Sequence, residues 1–241
     1  LPPILAIEEK MGESKRSVDD VRLAAFDGLI GANLTPVAVQ DNGGVSAATP
    51  SSLQALQAAV EAGFPWCDSL AGATRCVFGE GSATAEVVFV GEAPGAEEDR
   101  EGRPFVGPAG QKLDEIITAM GLDRGSVYIC NVLKARPPGN RDPLPDEVAM
   151  AAPWLACQLR LIAPKVIVAL GGAAAKHLLE TTTGITRLRG RMGQWQDPDS
   201  DLVVPVMPTF HPAYLLRNYT PETRRAMWED MQQVIALLEK Q

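Results

Sequence analysis

Short apolar runs alternate with amphipathic segments from residue 86 to the C-terminus. Four runs are nearly continuous in apolar residues, as in strands covered on both faces: EVVFVG, SVYICNVL, KVIVALG and LVVPVMPT. Between and after them, apolar residues recur at helical spacing in AGQKLDEIITAMG, PDEVAMAAPWLACQLRLIA, GAAAKHLLE and PETRRAMWEDMQQVIALLEK. Pro153 is expected to bend or split the second of these helices. The alternation predicts a three-layer α/β/α fold with a central, mostly parallel four-stranded sheet.

The first 50 residues differ in kind from the rest. We predict an N-terminal extension over residues 1–50, with a possible helix in SVDDVRLAAFDGLIGA and a flexible linker in NLTPVAVQDNGGVSAATPSS. The α/β/α domain is then expected over residues 51–241. It opens with SSLQALQAAVEAG, where serines precede an apolar-periodic helix that ends at Gly63.

Residues suited to chemistry follow the predicted strands. The glycine-rich GEAPG comes after the first strand, Asn131 ends the second, and His211 follows the fourth in TFHPAYLLRN. Ligands on parallel sheets bind in the crevice beyond the carboxyl ends of the strands. We therefore expect these three loops to meet at one crevice.

Composition and charge narrow the class of protein. The net charge of −8 argues against non-specific coating of nucleic acid, yet residues 131–225 hold 12 Lys/Arg and 8 Asp/Glu, a local net of +4. The cysteines Cys67, Cys76, Cys130 and Cys157 form no CxxC pair, so buried thiols are expected rather than a zinc site. No apolar run approaches the ~20 residues that span a bilayer. We predict a cytoplasmic, monomeric protein without a membrane partner.

Several of these residues have structural explanations of equal weight. Gly91 and Gly95 permit close backbone approach to a ligand, but strand-to-loop turns commonly use glycine, and the segment is neither a P-loop nor GxGxxG. Acidic residues such as Glu98 often only face solvent on loops. Asn131 either contacts a ligand or pins the following loop. His177 lies in a predicted helix, where packing or surface exposure is expected.

Together the motifs resemble a known family. GEAPGAEEDREGRPFVGPAGQKLDEI, VYICNVLKARPPGNRDPLPDE, KVIVALG and PTFHPAYLLR are similar to the family 4 uracil-DNA glycosylases, in the same order, over roughly residues 64–230. The resemblance implies an enzyme that flips uridine out of DNA and hydrolyses its N-glycosidic bond, leaving an abasic site for base excision repair. Its partner would be uracil-containing DNA, single- or double-stranded, in the bacterial nucleoid.

The resemblance also implies roles for the residues that hold the base. Phe105 would stack on uracil, and Asn131 would pair with O4 and N3–H. Glu98 would crowd the C5 position, where thymine carries a methyl group. His211 would meet the charge that develops on O2, with backbone N–H groups of the glycine turn around Ala93 and Gly95.

The water-activating group and the DNA contacts follow from the same resemblance. Ala93 stands where the classical branch of the superfamily has a water-activating Asp, so either Glu92 or Glu98 would orient the water, unless a dissociative path needs little base assistance. Leu215 would wedge into the space left by the flipped base. The DNA-binding residues are predicted to be Lys134, Arg136, Arg189, Tyr214, Leu215 and Arg217.

One departure from the family concerns its iron–sulfur cluster. Family 4 enzymes usually hold a 4Fe–4S cluster with four cysteines; the corresponding residues here are Phe64, Cys67, Ala135 and Ala151. We predict that no cluster or other metal is bound and that apolar packing replaces it. The residues expected to fill the space are Phe64, Trp66 and Trp154.

Other functions remain open from the sequence. Hypoxanthine and xanthine are further candidate substrates if the pocket is looser. The main alternative is a non-catalytic binder of uracil-containing or single-stranded DNA, although a binder has no need of His211 at O2. A nucleotide hydrolase would require a phosphate-gripping Lys or a metal cluster, which the glycine loop does not supply.

Overall fold

A computed structural model describes residues 50–240. Its strands are β1 (Glu80–Gly81), β2 (Val87–Gly91), β3 (Tyr128–Asn131), β4 (Val166–Leu170), β5 (Gly193–Gln196) and β6 (Val203–Thr209). Its α-helices are α1 (Leu53–Ala62), α2 (Ala96–Glu101), α3 (Pro108–Ala119), α4 (Pro145–Ile162), α5 (Gly172–Leu178), α6 (Ile185–Leu188), α7 (Pro212–Arg217) and α8 (Pro221–Leu238). The predicted extension, apart from residue 50, lies outside the described residues.

Over residues 50–240 the sheet has six strands in the order β1-β3-β2-β4-β6-β5. The four predicted strands, β2, β3, β4 and β6, form its parallel centre. The predicted number of four is wrong, because β1 adds to β3 and β5 adds to β6 as antiparallel edge strands. The three-layer α/β/α architecture is confirmed.

Two apolar cores cover the two faces of the sheet. Side chains alternate along each strand, so neighbours such as Ile129 and Cys130 on β3 enter different cores. One core includes residues of α1, α4 and α5, among them Leu56 and Trp154. The other includes residues of α3 and α8, among them Leu113. Burial on both faces explains the continuous apolar runs of the central strands.

Local sequence determines where the helices begin. Proline stands in the first turn of α3, α4, α7 and α8, where its missing N–H costs no helical hydrogen bond. Ser52 caps α1 by accepting a hydrogen bond from the Ala55 N–H. Pro153 lies inside α4 without splitting it into two helices. Within residues 50–240, no helix combines the length and apolar character needed to cross a membrane.

Strand register brings the loops together at the carboxyl edge of the sheet. Gly91 at the end of β2 is paired with Asn131 at the end of β3. On the other side of β2, Leu170 at the end of β4 is paired with Thr209 at the end of β6, two residues before His211. The loops that carry the candidate residues therefore leave the sheet at neighbouring points.

Candidate active site

Phe105 and the Asn131 side chain meet over Gly91. A Cβ built on Gly91 would lie 2.4 Å from Asn131 Oδ1 and 2.6 Å from Phe105 Cζ. Only glycine fits here, because both contacts are far shorter than any real Cβ contact. The aromatic ring and the amide thus share one small space at the end of β2.

His211 packs against the same ring. The Phe105 and His211 rings stack with centroids 5.7 Å apart and planes 29° apart. The phenyl ring therefore contacts the imidazole and also lies close to the Asn131 amide over Gly91. The structure places the three residues that sequence reasoning selected from three different loops at one site.

Asn131 presents an acceptor with no hydrogen-bond partner among residues 50–240. The residue is 2% exposed, and its Oδ1 is one of three buried side-chain atoms in residues 50–240 without a hydrogen bond; the others are Trp154 Nε1 and Gln158 Oε1. An unpaired buried polar atom costs roughly 1–3 kcal/mol. An unpaired acceptor at the end of a central strand is typical of a ligand-binding group, which receives its hydrogen bond from the ligand.

Backbone geometry determines which nitrogen of His211 carries the proton. Nδ1 accepts a hydrogen bond from the Ala213 N–H at 3.1 Å, which makes His211 the N-cap of α7. The proton of the neutral ring therefore lies on Nε2, which is a donor. Burial, reinforced by the positive charge of Arg217 and opposed by Glu98, lowers the pKa of His211 to about 4. The ring is neutral at pH 7.

The Glu98 carboxylate binds backbone N–H groups of the loop rather than pointing freely into the crevice. Oε1 accepts from the Val106 and Gly107 N–H groups, each at 3.0 Å, and Oε2 accepts from the Gly95 N–H at 3.1 Å. This carboxylate fastens the start of α2 to the segment that follows Phe105. Because the Gly95 N–H is bonded to Glu98, the prediction that it meets uracil O2 is wrong. The structure likewise does not support Glu98 as the group that activates water, since its oxygens bind backbone.

Glu92 is the other predicted catalytic carboxylate. It follows Gly91 directly and is half-buried. Burial, with repulsion from Asp142, raises its pKa. Ala93 beside it is also half-buried and packs against the core on the α4 face. A partly desolvated carboxylate at the end of β2 has the environment of a general base.

One predicted DNA contact proves to be internal, and a second is paired within the protein. Lys134 is fully buried and donates from Nζ to the Asn131 carbonyl at 2.6 Å, so it cannot reach a phosphate and its prediction is wrong. Burial lowers its pKa. Arg189 binds both oxygens of Asp230, a buried residue that also accepts from Thr209 Oγ1 at 2.6 Å. Because the Arg189 side chain is still 18% exposed, its contact with DNA stays a prediction.

A third correction concerns the apolar tip of α7. Leu215, the predicted wedge, is 4% exposed, whereas Tyr214 and Leu216 are 38% and 44% exposed. The helical rotation places neighbours on different faces, so Leu215 turns inward and Leu216 outward. Arg217 is exposed, and Arg136 is half-buried with its Nε bonded to Asn140 Oδ1 at 2.7 Å. These two cations and Tyr214 are at least partly exposed, and their contacts with DNA stay predictions.

Residues at the positions of the family's cluster ligands do not fit an iron–sulfur cluster. Ala135 and Ala151 are buried and carry no ligand atom, and Cys67 Sγ lies 3.3 Å from Ser69 Oγ. In residues 50–240 no group of three or more His, Cys, Asp or Glu could hold a metal ion. Four thiolates are needed, and one is present.

Aromatic side chains pack together at and beside the positions of the family's cluster ligands. The Phe64 and Trp66 rings meet edge to face at 5.2 Å, and Trp66 meets Trp154 at 4.6 Å. Trp66 also donates to the Val60 carbonyl at 2.7 Å. The predicted packing of these three side chains is confirmed.

Sequence reasoning missed Gly171, which supports His211. Its φ is +93°, and a Cβ there would lie 3.0 Å from His211 Cβ. Only glycine combines this backbone conformation with so close an approach. Its position directly after β4 is a signal that the strand-end rule could have used.

Comparison with known proteins identifies the family. Residues 78–232 match the model of the Uracil DNA glycosylase superfamily. The chain belongs to this superfamily.

Its relatives within the superfamily include type-4 uracil-DNA glycosylases. The protein from Thermotoga maritima is 45% identical over 169 residues, which cover 70% of this chain and 85% of the relative. The protein from Archaeoglobus fulgidus is 44% identical over 173 residues, 70% of this chain and 84% of the relative. A type-5 uracil-DNA glycosylase from Pyrobaculum aerophilum is 36% identical over 115 residues, 42% of this chain and 50% of the relative.

Proposed function

We propose that the protein is a monofunctional uracil-DNA glycosylase, which flips uracil out of DNA and hydrolyses its N-glycosidic bond. The observation that carries the proposal is the meeting of Phe105, Asn131 and His211 at one site in a chain of this superfamily. A stacking ring, an amide and a neutral imidazole donor are the groups needed to hold one pyrimidine and stabilise its departure.

The Asn131 amide accounts for the choice of uracil over cytosine. Its orphan Oδ1 would accept the uracil N3–H, and Nδ2 would donate to O4. Cytosine presents the opposite pattern, an acceptor at N3 and a donor at position 4. A buried amide held in one orientation would match only one of these patterns. Phe105 would provide the stacking surface beside it.

His211 supplies the donor for the leaving group. As the N1–C1′ bond breaks, its electron pair passes to the uracil ring and negative charge develops on O2. The Nε2–H of a neutral His211 would donate to O2 without a prior proton transfer. One such donor is typically worth about 10²–10³ in rate.

A carboxylate completes the hydrolysis in this mechanism. Water adds to C1′ and gives up a proton, and we assign the acceptor as Glu92 because all three hydrogen bonds of Glu98 tie it to backbone. The raised pKa of Glu92 suits a proton acceptor. The alternative of a dissociative path with little base assistance predicts only a small loss of rate in Glu92→Gln.

Exposed side chains on α7 would contact the DNA. Leu216 replaces Leu215 as the proposed wedge because it is the leucine that reaches solvent. Tyr214, Arg217 and Arg136 would contact the strand around the flipped nucleotide. The local positive charge of this half of the chain supports phosphate binding on an otherwise acidic protein.

The protein is further proposed to work without an iron–sulfur cluster. Ala135, Ala151 and the Phe64–Trp66–Trp154 packing support this proposal. Protein purified without exposure to air should be colourless and contain no stoichiometric iron or sulfide. Equimolar cluster iron, bound through Cys67 and lost in Cys67→Ala, would overturn it.

Strand scission at abasic sites tests the function. Oligonucleotides carrying one uracil, hypoxanthine, xanthine, thymine or cytosine, single- and double-stranded, are incubated with enzyme and cleaved with alkali. Uracil strands should be cut, and His211→Ala should lose roughly 10²–10³ in rate. His177→Gln, a change of the other histidine, near the end of α5, serves as the control. Binding of uracil-containing DNA without scission would identify a binder and overturn the proposal.

A further inference from the structure

Arg124 joins four parts of the chain around the backbone of Phe105. Its Nε donates to Glu80 Oε1 at 2.8 Å, and its Nη1 donates to Asp114 Oδ1 at 2.7 Å and to the Phe105 carbonyl at 3.2 Å. Its Nη2 donates to the Pro104 carbonyl at 2.6 Å. Four of the five guanidinium N–H donors are thus used, two of them on consecutive carbonyls.

Phe105 has a backbone that needs such support. Its φ is +50°, a region that a bulky side chain adopts only when the surroundings enforce it. On the side of α3, a Cβ on Gly110 would lie 1.9 Å from the Phe105 carbonyl oxygen, so the two backbones are in direct contact. Beyond Phe105, the Val106 and Gly107 amides are held by Glu98. Arg124 completes this support by binding the carbonyl oxygens of Pro104 and Phe105.

The acidic partners keep the guanidinium in place. Burial alone would raise the pKa of Glu80, but hydrogen bonds from Arg103 and Arg124 outweigh it and the pKa is lowered. Glu80 is therefore ionised at neutral pH and anchors Arg124 on β1, while Asp114 anchors it on α3. The Arg124 side chain is 22% exposed, so solvent competes little for these bonds.

We propose that Arg124 is a positioning residue for the glycosylase reaction: it holds Phe105 in its left-handed conformation and so sets the plane on which the flipped base stacks. The inference rests on the proposed function for its effect on catalysis. The clamp itself, by which we mean the hydrogen bonds from Arg124 to the Pro104 and Phe105 carbonyls, is a property of the free protein and does not depend on the proposed function. None of these four hydrogen bonds of Arg124 goes to His211, so its effect on catalysis is assigned to Phe105.

Arg103 offers a matched control. Its guanidinium binds both oxygens of Glu80, at 2.7 and 3.1 Å, and its side chain is 57% exposed. None of its hydrogen bonds described here goes to the Pro104 or Phe105 carbonyl. Arg103→Lys therefore disturbs the same carboxylate and leaves the clamp intact.

Single-turnover kinetics on uracil-containing DNA measure the effect on the reaction. Arg124→Lys keeps the charge, but an ammonium cannot span the four acceptors. The rate should fall on the order of 10- to 100-fold, as expected for a misplaced base. Affinity for DNA with an abasic site should stay unchanged, since no base stacks there. Arg103→Lys should change the rate about twofold or less. Equal losses in Arg124→Lys and Arg103→Lys would contradict the proposal.

A double-mutant cycle separates positioning from general destabilisation. In a Phe105→Ala background, Arg124→Lys should cause no further loss of rate, because the ring it positions is gone. A loss that persists in this background overturns the proposal. Arg124→Gln, which removes the partly buried charge together with the clamp, gives the same comparison if the lysine variant does not fold.

Amide hydrogen exchange tests the clamp without any activity. Arg124→Lys should speed exchange at Val106 and Gly107 at least several-fold while the unfolding midpoint measured by circular dichroism changes little, and Arg103→Lys should leave these amides unchanged. Unaltered exchange at both amides overturns the clamp, whether or not the wild-type protein removes uracil. Absence of uracil removal by a wild-type protein with an intact clamp would instead refute the proposed function.

Discussion

At the scale of single residues, the site combines groups that reduce stability with groups that restore it. Asn131 Oδ1 is buried without a hydrogen-bond partner in the described part of the chain, and Phe105 has a left-handed backbone. Nearby, Lys134 binds the Asn131 carbonyl, and Gly171 allows the β4 loop to pack against His211. The strained residues are those that would touch the base, and the supporting residues lie behind them.

Replacing Asn131 with leucine should separate stability from activity. Asn131→Leu removes the unpaired oxygen in a side chain of similar size, so the free energy of unfolding should stay equal or rise by about 1 kcal/mol. Single-turnover removal of uracil should fall at least ~10²-fold, because both base contacts are lost. Urea unfolding and alkaline strand scission measure the two effects. A clear loss of stability would show that Oδ1 has a partner inside the protein.

The lowered pKa of His211 predicts how acid affects the protein. The folded value of about 4 lies below the ordinary 6.5, so the folded state binds fewer protons than the unfolded state between these values. The contribution to stability is complete above pH 6.5 and is lost as the pH falls towards 4. The His211 ring should titrate near pH 4 by nitrogen-detected NMR.

A His211 variant separates the contribution of His211 to the pH dependence of stability from the contribution of the carboxylates. His211→Asn can still cap α7 through its side chain but does not titrate. Between pH 7 and pH 4.5 it should lose less unfolding free energy than the wild type. Equal losses would mean that His211 has an ordinary pKa.

At the scale of elements, the acidic run before Phe105 divides into separate tasks. Asp99 is buried and accepts from the Thr74 and Arg75 N–H groups at 2.8 and 3.2 Å, which fastens α2 to the preceding loop. Glu97 forms an exposed ion pair with Arg100. Glu98 ties the start of α2 to the segment after Phe105. One short helix thus holds two loops, and its carboxylates point in different directions.

Glu98→Gln should show a positioning effect and no change in pH dependence. An amide can accept through its oxygen but not through its nitrogen, so at least one of the three backbone bonds is lost. We expect the uracil-removal rate to fall roughly 10-fold, with faster amide exchange at Gly95 or at Val106 and Gly107. The shape of the pH–rate profile should be unchanged, and loss of its acidic limb would instead make Glu98 the catalytic base. Glu97→Gln is the control, since Glu97 is exposed.

Helix α7 allows its two leucines to be compared directly. Leu215→Ala opens a cavity beneath the helix and should cost about 2–5 kcal/mol of unfolding free energy. Leu216→Ala should change stability by no more than about 0.5 kcal/mol. It should slow uracil removal from duplex DNA more than from single strands, because only a duplex leaves a gap in the stack. An equal effect on both substrates would argue against a wedge.

At the scale of the whole molecule, the central strands could be predicted because burial on both faces makes them apolar throughout. The edge strands could not: β1 has two residues, and in β5 only Trp195 is buried among polar neighbours. Their pairing depends on contacts with β3 and β6 rather than on their own pattern. The positions of α1, α3, α4, α5 and α8 followed from spacing and capping residues, which are local properties of the chain. The short helices α2, α6 and α7, of 6, 4 and 6 residues, were not predicted.

The site was predictable where it depends on strand ends and less so where it depends on side-chain direction. Phe105, Asn131 and His211 follow strands or precede a helix, so topology alone brings them together. Lys134 and Leu215 were misjudged because charge or apolar character does not reveal which way a side chain points after a turn. No sequence pattern indicated a role for Arg124, because its partners belong to three separate segments of the chain, at Glu80, at residues 104–105 and at Asp114.

The joint between α1 and α4 has a consequence for how the protein matures. Phe64, Trp66 and Trp154 close this joint with carbon rings, all of them encoded in the chain itself. Such a joint is complete as soon as the polypeptide folds and calls for no assembly machinery, sulfur donor or protection from oxygen. On the proposal that no cluster is bound, a cell short of iron would still have this repair activity in full.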